Sequence, residues 1–196
     1  IWTESSAKEL IPQTNDASIS KNSSAIVIGR GPSIRKFHHL DLLKESDYDG
    51  SIICCDGALI DTLKAGVTPG PLLKKCYDHK IVDEYGPKIK SAFTTISDPL
   101  VVDRARQSGM KIHWFHSLFD YNEGKKSFNH ISALMVRAKN HVNGLPAIQT
   151  GGNVGTSSWF IAWKILKRSN VTLIGLNHGW EEDDSLDLIM RHGLKH

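Results

Sequence analysis

At residues 25–33 the chain reads Ala-Ile-Val-Ile-Gly-Arg-Gly-Pro-Ser, a short β-branched run that breaks directly into a glycine-rich turn. The run predicts a buried strand, and the turn predicts that a helix starts near Ser33. A strand that feeds such a turn brings free backbone N–H groups and a helix N-terminus to one point, which is how many α/β proteins hold phosphate. A tight strand-to-helix turn with no ligand would use the same glycines. This turn is the first candidate site.

A second unit, residues 51–60, reads Ser-Ile-Ile-Cys-Cys-Asp-Gly-Ala-Leu-Ile. It predicts another buried strand that ends on a carboxylate and a glycine, with a helix starting at once. Asp56 therefore lies at the carboxyl end of a strand, where open α/β sheets bind their ligands. An aspartate in this position often only caps a helix, but it can also hold Mg²⁺, which neutralises a triphosphate.

The third glycine segment, residues 150–156, reads Thr-Gly-Gly-Asn-Val-Gly-Thr and precedes an apolar helix that ends at Leu166. Since this helix is apolar nearly all round, we expect it to be buried on every side, with its N-terminus at the same edge as the other turns. The last clear strand covers residues 171–175 and leads to Asn177 and His178.

Strands and helices alternate along the rest of the chain. One amphipathic helix is predicted over 33–45, and Ser97-Asp98-Pro99 predicts the capped start of another helix that ends at Gln107. The other predicted elements are strands at 92–96 and 111–115 and a helix over 128–138. The alternation predicts an α/β fold, a Rossmann-like three-layer sandwich with a mostly parallel sheet. The expected division is an N-terminal extension (1–23), a catalytic domain (24–180) and a C-terminal helical tail (181–196).

Composition excludes several classes of protein. The net charge of +3 is spread along 196 residues without a polybasic tract, so neither nucleic acid nor an anionic membrane is an expected partner. No apolar run reaches membrane-spanning length and no signal peptide is visible, which predicts a cytoplasmic protein. The three cysteines, two of them adjacent, favour neither a disulfide framework nor a zinc site. A start at Ile1 suggests a fragment.

Two other kinds of site are disfavoured. The third glycine of a dinucleotide fingerprint would fall at Ile34, although Asp56 does lie near the position of a ribose-binding acid, so a nicotinamide site remains an alternative. His113 and His116 lie three apart on a predicted strand and so point to opposite faces, which argues against zinc.

Three motifs, in the order in which they occur, make the chain similar to one protein family. They are the strand with its Gly-x-Gly-Pro-Ser turn, the Cys-Asp-Gly-Ala-Leu unit with a Gly-x-x-Pro exit at 66–69, and Gly-Gly-Asn-Val-Gly-Thr followed by Leu-Ile-Gly. In this order, over about residues 24–180, the chain resembles the archaeal 6-hydroxymethylpterin pyrophosphokinase (MptE-like) family. That family is related to thiamine pyrophosphokinase catalytic domains and to motility-accessory-factor glycosyltransferases.

The resemblance implies transfer of diphosphate from ATP, with Mg²⁺, to the hydroxymethyl group of a dihydropterin. By position, Asp56 would be the catalytic and metal-binding carboxylate, with Asp78 as a second metal candidate, and Asn177 and His178 would contact the substrate. The implied nucleotide- and phosphate-binding residues are Gly29, Gly31, Pro32, Ser33, Gly57, Gly151, Gly152, Asn153, Gly155 and Thr156.

Two alternatives remain open at this point. One is a nucleotide-sugar-dependent glycosyltransferase, and the other is a nucleotide-binding module that has lost its catalytic acids. The second is favoured by the segment after Pro69, where the family continues to further aspartates and this chain offers only Asp78. In each case the expected partner is a small molecule, and a homo-oligomer is compatible with the sequence.

Overall fold

The computed structural model describes residues 4–10, 23–67, 80–118, 130, 145–177 and 185–186, and all structural statements concern these residues. The strands are β1 (Ser5–Ser6), β2 (Ser24–Ile28), β3 (Ser51–Cys54), β4 (Lys90–Thr94), β5 (Lys111–Leu118), β6 (Ala147–Gln149) and β7 (Asn170–Ile174). The helices are α1 (Ser33–Lys36), α2 (His39–Glu45), α3 (Leu59–Lys64), α4 (Lys80–Tyr85), α5 (Pro99–Gln107) and α6 (Val154–Phe160). Short 3₁₀ helices cover Ala7–Leu10, Asp56–Ala58 and Gly86–Lys88, and a π-helical turn, Ile161–Ile165, continues α6.

The strands form two hydrogen-bonded groups, and every pairing among the described strands is parallel. In the first group β2 lies between β3 and β7. In the second group β5 lies beside β4, while β1 and β6 pair with successive parts of β5. Parallel pairing requires a crossover between strands, which the intervening helices supply.

Side chains alternate along each strand between two separate hydrophobic cores. Val27 of β2 packs in one core and Ile28 in the other, and Phe115 and Trp114 of β5 are divided in the same way. Because both cores draw residues from both groups of strands, the two groups lie side by side in one layer.

Helices cover this layer on both faces. The core that contains Ile28 is closed by residues of α1 to α5, among them Leu43, Leu63 and Val102. The opposite core is closed by the 3₁₀ helix Ala7–Leu10 and the π-helical turn Ile161–Ile165. The predicted α/β Rossmann-like three-layer sandwich is therefore confirmed. None of the helices in the described residues combines the length and the apolar character that crossing a bilayer requires.

The prediction of one continuous helix over 33–45 is wrong. The helix breaks at His38, whose φ of 51° lies in the left-handed region, and α2 starts afresh at His39. The apolar residues of the predicted helix recur every three positions, so each lags the 3.6-residue repeat by about 60° and a straight helix could not bury them all. The break restores the burial of Leu40 and Leu43 and leaves Phe37 55% exposed.

Other elements differ from prediction by smaller amounts. Helix α5 begins and ends as predicted, and the Asp98 carboxylate accepts a 3.0 Å hydrogen bond from the N–H of Leu100. Strand β4 starts two residues earlier than predicted, and β5 extends three residues further. The helix after residue 153 is not buried on every side, because Trp163 is 41% exposed.

Some predictions lie outside the described residues. They include Asp78, His178 and all but a few positions of the 128–138 helix and the C-terminal tail. The proposed domain boundaries stay a prediction. Within the proposed N-terminal extension, however, Ser5 and Ser6 pair with β5, and Ala7 and Leu10 are buried in a core.

Candidate functional site

The carboxyl ends of β2, β3 and β7 meet at one edge of the sheet. Ile28 is in register with Cys54 on one side and with Ile174 on the other, so the three strands stop together. Backbone hydrogen bonds extend this alignment beyond the strands. The N–H of Cys55 donates to the carbonyl of Ile28 at 2.8 Å, and the N–H of Gly29 donates to the carbonyl of Ile174 at 2.8 Å.

The turn after β2 is held against the turn after β7. The N–H of Gly31 donates to the carbonyl of Gly175 at 2.7 Å. A side chain at Gly29 could not be accommodated, since its Cβ would lie 2.3 Å from that same carbonyl oxygen. The N–H groups of Gly29 and Gly31 are thus already bonded within the protein, so neither is one of the free N–H groups expected of this turn.

Side chains also join these two turns. The Ser33 hydroxyl donates to Oδ1 of Asn177 at 3.1 Å. A Cβ at Gly31 would lie 2.1 Å from the same Oδ1 atom. Two residues that the sequence predicted for separate roles, Ser33 and Asn177, are therefore in direct contact, with Pro32 between Gly31 and Ser33.

Asp56 follows β3 and opens a 3₁₀ turn at the same edge. Its side chain is half-buried. Burial raises the pKa of the Asp56 carboxyl above its ordinary value of 3.8, and the N–H of Gly57 and the positive charge of Arg30 oppose part of that rise. A bound cation would favour the ionised form in the same way that Arg30 does.

Cys55, next to Asp56, has a structural role. Burial raises the pKa of the Cys55 thiol to about 11, so the thiol is protonated near neutral pH. Its sulfur lies 3.7 Å from the hydroxyl of Ser158 in α6. The end of β3 is thereby packed against the helix that follows the third glycine segment.

That third segment, residues 150–156, lies beside the β2 turn. Gly151 and Gly152 adopt left-handed φ values of 56° and 78°. Asn153 then caps α6, because its Oδ1 accepts the N–H of Thr156 at 2.8 Å and the Thr156 hydroxyl at 3.2 Å.

Leu176 links the third segment to the first. A Cβ at Gly155 would lie 2.5 Å from Cδ2 of Leu176, and a Cβ at Gly29 would lie 2.4 Å from the same atom. The three glycine-containing turns singled out in the sequence are therefore brought to one edge, around the ends of β2, β3 and β7.

Sequence reasoning missed Arg30. This arginine stands between the two glycines of the β2 turn, and its Cδ would lie 3.1 Å from a Cβ at Gly57. The only sequence signal was a cation inside a glycine-rich turn, since its proximity to the β3 end depends on strand order.

Sequence reasoning also missed a group of polar pairs at the ends of β4 and β5. Nδ1 of His116 lies 2.8 Å from the Thr95 hydroxyl, and the Ser117 hydroxyl donates to the Thr94 hydroxyl at 2.7 Å. Burial lowers the pKa of His116, which keeps the ring neutral near pH 7. β5 runs parallel to β6, which leads into the third glycine segment, so these pairs extend the same edge of the sheet.

The donor set at this edge fits one kind of metal binding. Within the described residues, no three His, Cys, Asp or Glu side chains are grouped closely enough to hold a metal ion by themselves. In the described part of the chain Asp56 supplies a carboxylate at the converging turns, and Mg²⁺ in nucleotide enzymes commonly takes one or two carboxylates together with substrate phosphates. The site fits a cation that arrives with a polyphosphate.

The comparisons with known proteins point to one family. No curated protein matches the chain. A family model described as 6-hydroxymethylpterin diphosphokinase MptE-like matches residues 3–183, and because this covers most of the 196 residues, the chain belongs to that family.

Proposed function

We propose that this protein is a Mg²⁺-dependent diphosphotransferase that moves diphosphate from ATP to 6-hydroxymethyl-7,8-dihydropterin or a similar hydroxymethyl acceptor. Membership of the MptE-like family supports the pterin and kinase-like theme. The observation that carries the proposal is the meeting of the β2, β3 and β7 turns, with a half-buried carboxylate at Asp56 beside a cation at Arg30.

The reaction requires that the two substrates are held in position and that the negative charge of the phosphates is neutralised. The hydroxymethyl oxygen of the acceptor attacks the β-phosphorus of ATP, the bond from that phosphorus to the bridging oxygen of the α-phosphate breaks, and AMP leaves. The proton of the hydroxyl group passes to solvent. Because charge is spread over phosphate oxygens throughout, fixed dipoles and cations stabilise the transition state without a nucleophilic side chain.

Each role has a candidate among the described residues. Asp56 would hold Mg²⁺, which when bound neutralises the polyphosphate. At the start of α6 the N–H groups of Val154 and Gly155 have no intrahelical partner, as in the first turn of any helix, and they suit a phosphate oxygen. The hydroxyl groups of Ser33 and Thr156 also lie at this edge, but each already donates its hydrogen to an asparagine, so either would have to exchange that bond to serve a phosphate.

The decisive experiment is a direct assay. The purified protein is incubated with ATP, Mg²⁺ and 6-hydroxymethyl-7,8-dihydropterin, and AMP is measured by chromatography. We expect AMP only when the acceptor is present. Asp56→Asn should abolish its release, whereas Asp61→Asn, which removes an exposed carboxylate on α3, should not.

Absence of AMP with folded protein would reject the proposal. If nucleotide sugars such as CMP or UDP conjugates then raised the melting temperature and ATP did not, the glycosyltransferase alternative would replace it.

A further inference from the structure

The β2 turn offers an anion a side chain rather than its two glycine amides. The N–H groups of Gly29 and Gly31 are bonded to the carbonyls of Ile174 and Gly175, so these two amides cannot serve a ligand. Between them stands Arg30, whose side chain is exposed. The positive charge of this turn therefore resides in a guanidinium group.

The stem of Arg30 is directed toward the β3 end by the absence of a side chain at residue 57. A Cβ on Gly57 would lie 3.1 Å from Cδ and 3.4 Å from Cβ of Arg30. Its charge is felt at the neighbouring carboxyl of Asp56, although the two groups are not within ion-pairing distance. A cation and a carboxylate thus stand side by side without neutralising each other by contact.

Two other arginines, unlike Arg30, are hydrogen-bonded to carboxylates. Arg104 makes two hydrogen bonds to Asp83, at 2.7 and 3.0 Å, and Arg106 makes two to Glu4, at 2.7 and 2.9 Å. Arg30 makes no side-chain hydrogen bond or ion pair with any residue that the structure describes. Within the described residues its five N–H donors are therefore unused, and the planar guanidinium matches two oxygens of a phosphate group.

We infer that Arg30 binds the metal-carrying phosphate groups of a nucleoside di- or triphosphate, so that the site recognises a diphosphate unit rather than a monophosphate. This inference rests on the proposed function. A carboxylate repels a phosphate unless a cation lies between them, so the phosphates nearest Asp56 would be those that carry the divalent cation, and Arg30 would be the side chain next to them.

The test is calorimetric titration with ATP, AMP and inorganic pyrophosphate, each with Mg²⁺ and without acceptor. Arg30→Gln should weaken the binding of ATP and pyrophosphate by about 10- to 100-fold, the loss expected for hydrogen bonds to a charged group. AMP binding should change by less than about threefold. Arg30→Lys, which retains the charge but loses the two-pronged geometry, should lie between wild type and Arg30→Gln.

The matched control is Arg35→Gln, which removes the same charge from an exposed position on α1. It should bind ATP within about twofold of wild type, because exposed charges act weakly through screened solvent. Arg30→Gln should also melt at the wild-type temperature, which separates a ligand contact from a structural one.

Three outcomes would overturn the inference: equal ATP affinity in Arg30→Gln and Arg35→Gln, an equal loss for AMP and ATP, or wild-type protein that binds neither ATP nor pyrophosphate. If Arg30→Gln abolishes pyrophosphate binding while no AMP is formed in the transfer assay, Arg30 is confirmed as a phosphate ligand and the proposed reaction is rejected.

Discussion

Asp56 is a residue whose surroundings oppose its charge. Burial raises the pKa of its carboxyl, so the folded protein takes up the proton at a higher pH than the unfolded chain does. Stability therefore falls as pH rises from 3.8, the ordinary value, through the raised pKa. A group that costs stability and lies among converging turns is more easily explained by function than by folding.

Asp56→Asn should for this reason raise the melting temperature of the free protein at pH 7, and the gain should vanish below pH 3.8, where both states of the wild-type residue are protonated. Calorimetric scans at pH 7 and pH 3.5 measure the effect. The same substitution should remove Mg²⁺-dependent stabilisation by ATP. A variant that melts below wild type at pH 7 would show that the carboxylate is held by contacts that favour its charge.

For individual residues, the sequence shows the type of side chain but not which side chains lie close to it in the fold. Asp56 was identifiable because a buried run ends on it and a glycine follows. Arg30 and His116 were not, since each is meaningful only through a partner distant in sequence: Gly57 for Arg30, and Thr95 for His116. Pairings of that kind depend on strand order, which hydrophobic patterning alone leaves open.

At the scale of elements, the two glycine turns would be destabilised by an added side chain for different reasons. In the β2 turn the side chain would collide with neighbouring atoms, and in the third glycine segment it would strain the backbone. A Cβ at Gly29 would meet backbone oxygen at 2.3 Å, whereas nothing lies within 4 Å of a Cβ at Gly152, whose strain comes only from its φ of 78°. Substitutions at Gly29 and Gly152 therefore measure steric collision and backbone strain separately.

Gly29→Ala should destabilise the protein by about 2–3 kcal/mol, because the strands themselves would have to shift. Gly152→Ala should cost only about 1 kcal/mol, the strain of a left-handed alanine. Urea unfolding at constant m-value measures both. Equal losses would mean that the contact between the β2 and β7 turns is not rigid.

The elements also show where patterning succeeds and where it fails. Helix α5 was predictable at both ends because a capping aspartate, a proline and a C-terminal glycine mark it locally. The break at His38 was not, since a three-residue apolar repeat resembles a helix over short windows and departs from one over longer windows. The aromatic residues of the helix after residue 153 suggested burial on all sides, but Trp159 and Trp163 instead stack on each other, with ring centroids 5.3 Å apart, and Trp163 is 41% exposed.

At the scale of the whole molecule, Glu4 fastens the N-terminal segment to the sheet. Its carboxylate accepts two hydrogen bonds from Arg106 and one, at 2.6 Å, from the indole N–H of Trp114. The hydrogen bonds from Arg106 lower the pKa of the Glu4 carboxyl to about 2. The strand that follows is only two residues long, which is too short for sequence periodicity to reveal.

Glu4→Gln should lower the free energy of unfolding by about 1 kcal/mol at pH 7, a figure reduced from that of a buried charged hydrogen bond because the pair is partly exposed. A depressed pKa stabilises the fold above the unfolded value, so the difference from wild type should shrink as pH falls from 4.5 toward 2. Urea unfolding across this range tests it, with the exposed Glu45→Gln as control. A difference that is constant with pH would contradict the assignment.

Leu176 fits one methyl group into the space left by two missing side chains, at Gly29 and at Gly155. The consequence is evolutionary. A methyl group gained at either glycine would collide with the leucine, but only the collision at 155 could be relieved by a smaller residue at 176, because a side chain at 29 would also meet the backbone oxygen of Gly175. We therefore expect positions 155 and 176 to co-vary among relatives, and position 29 to remain glycine whatever residue stands at 176.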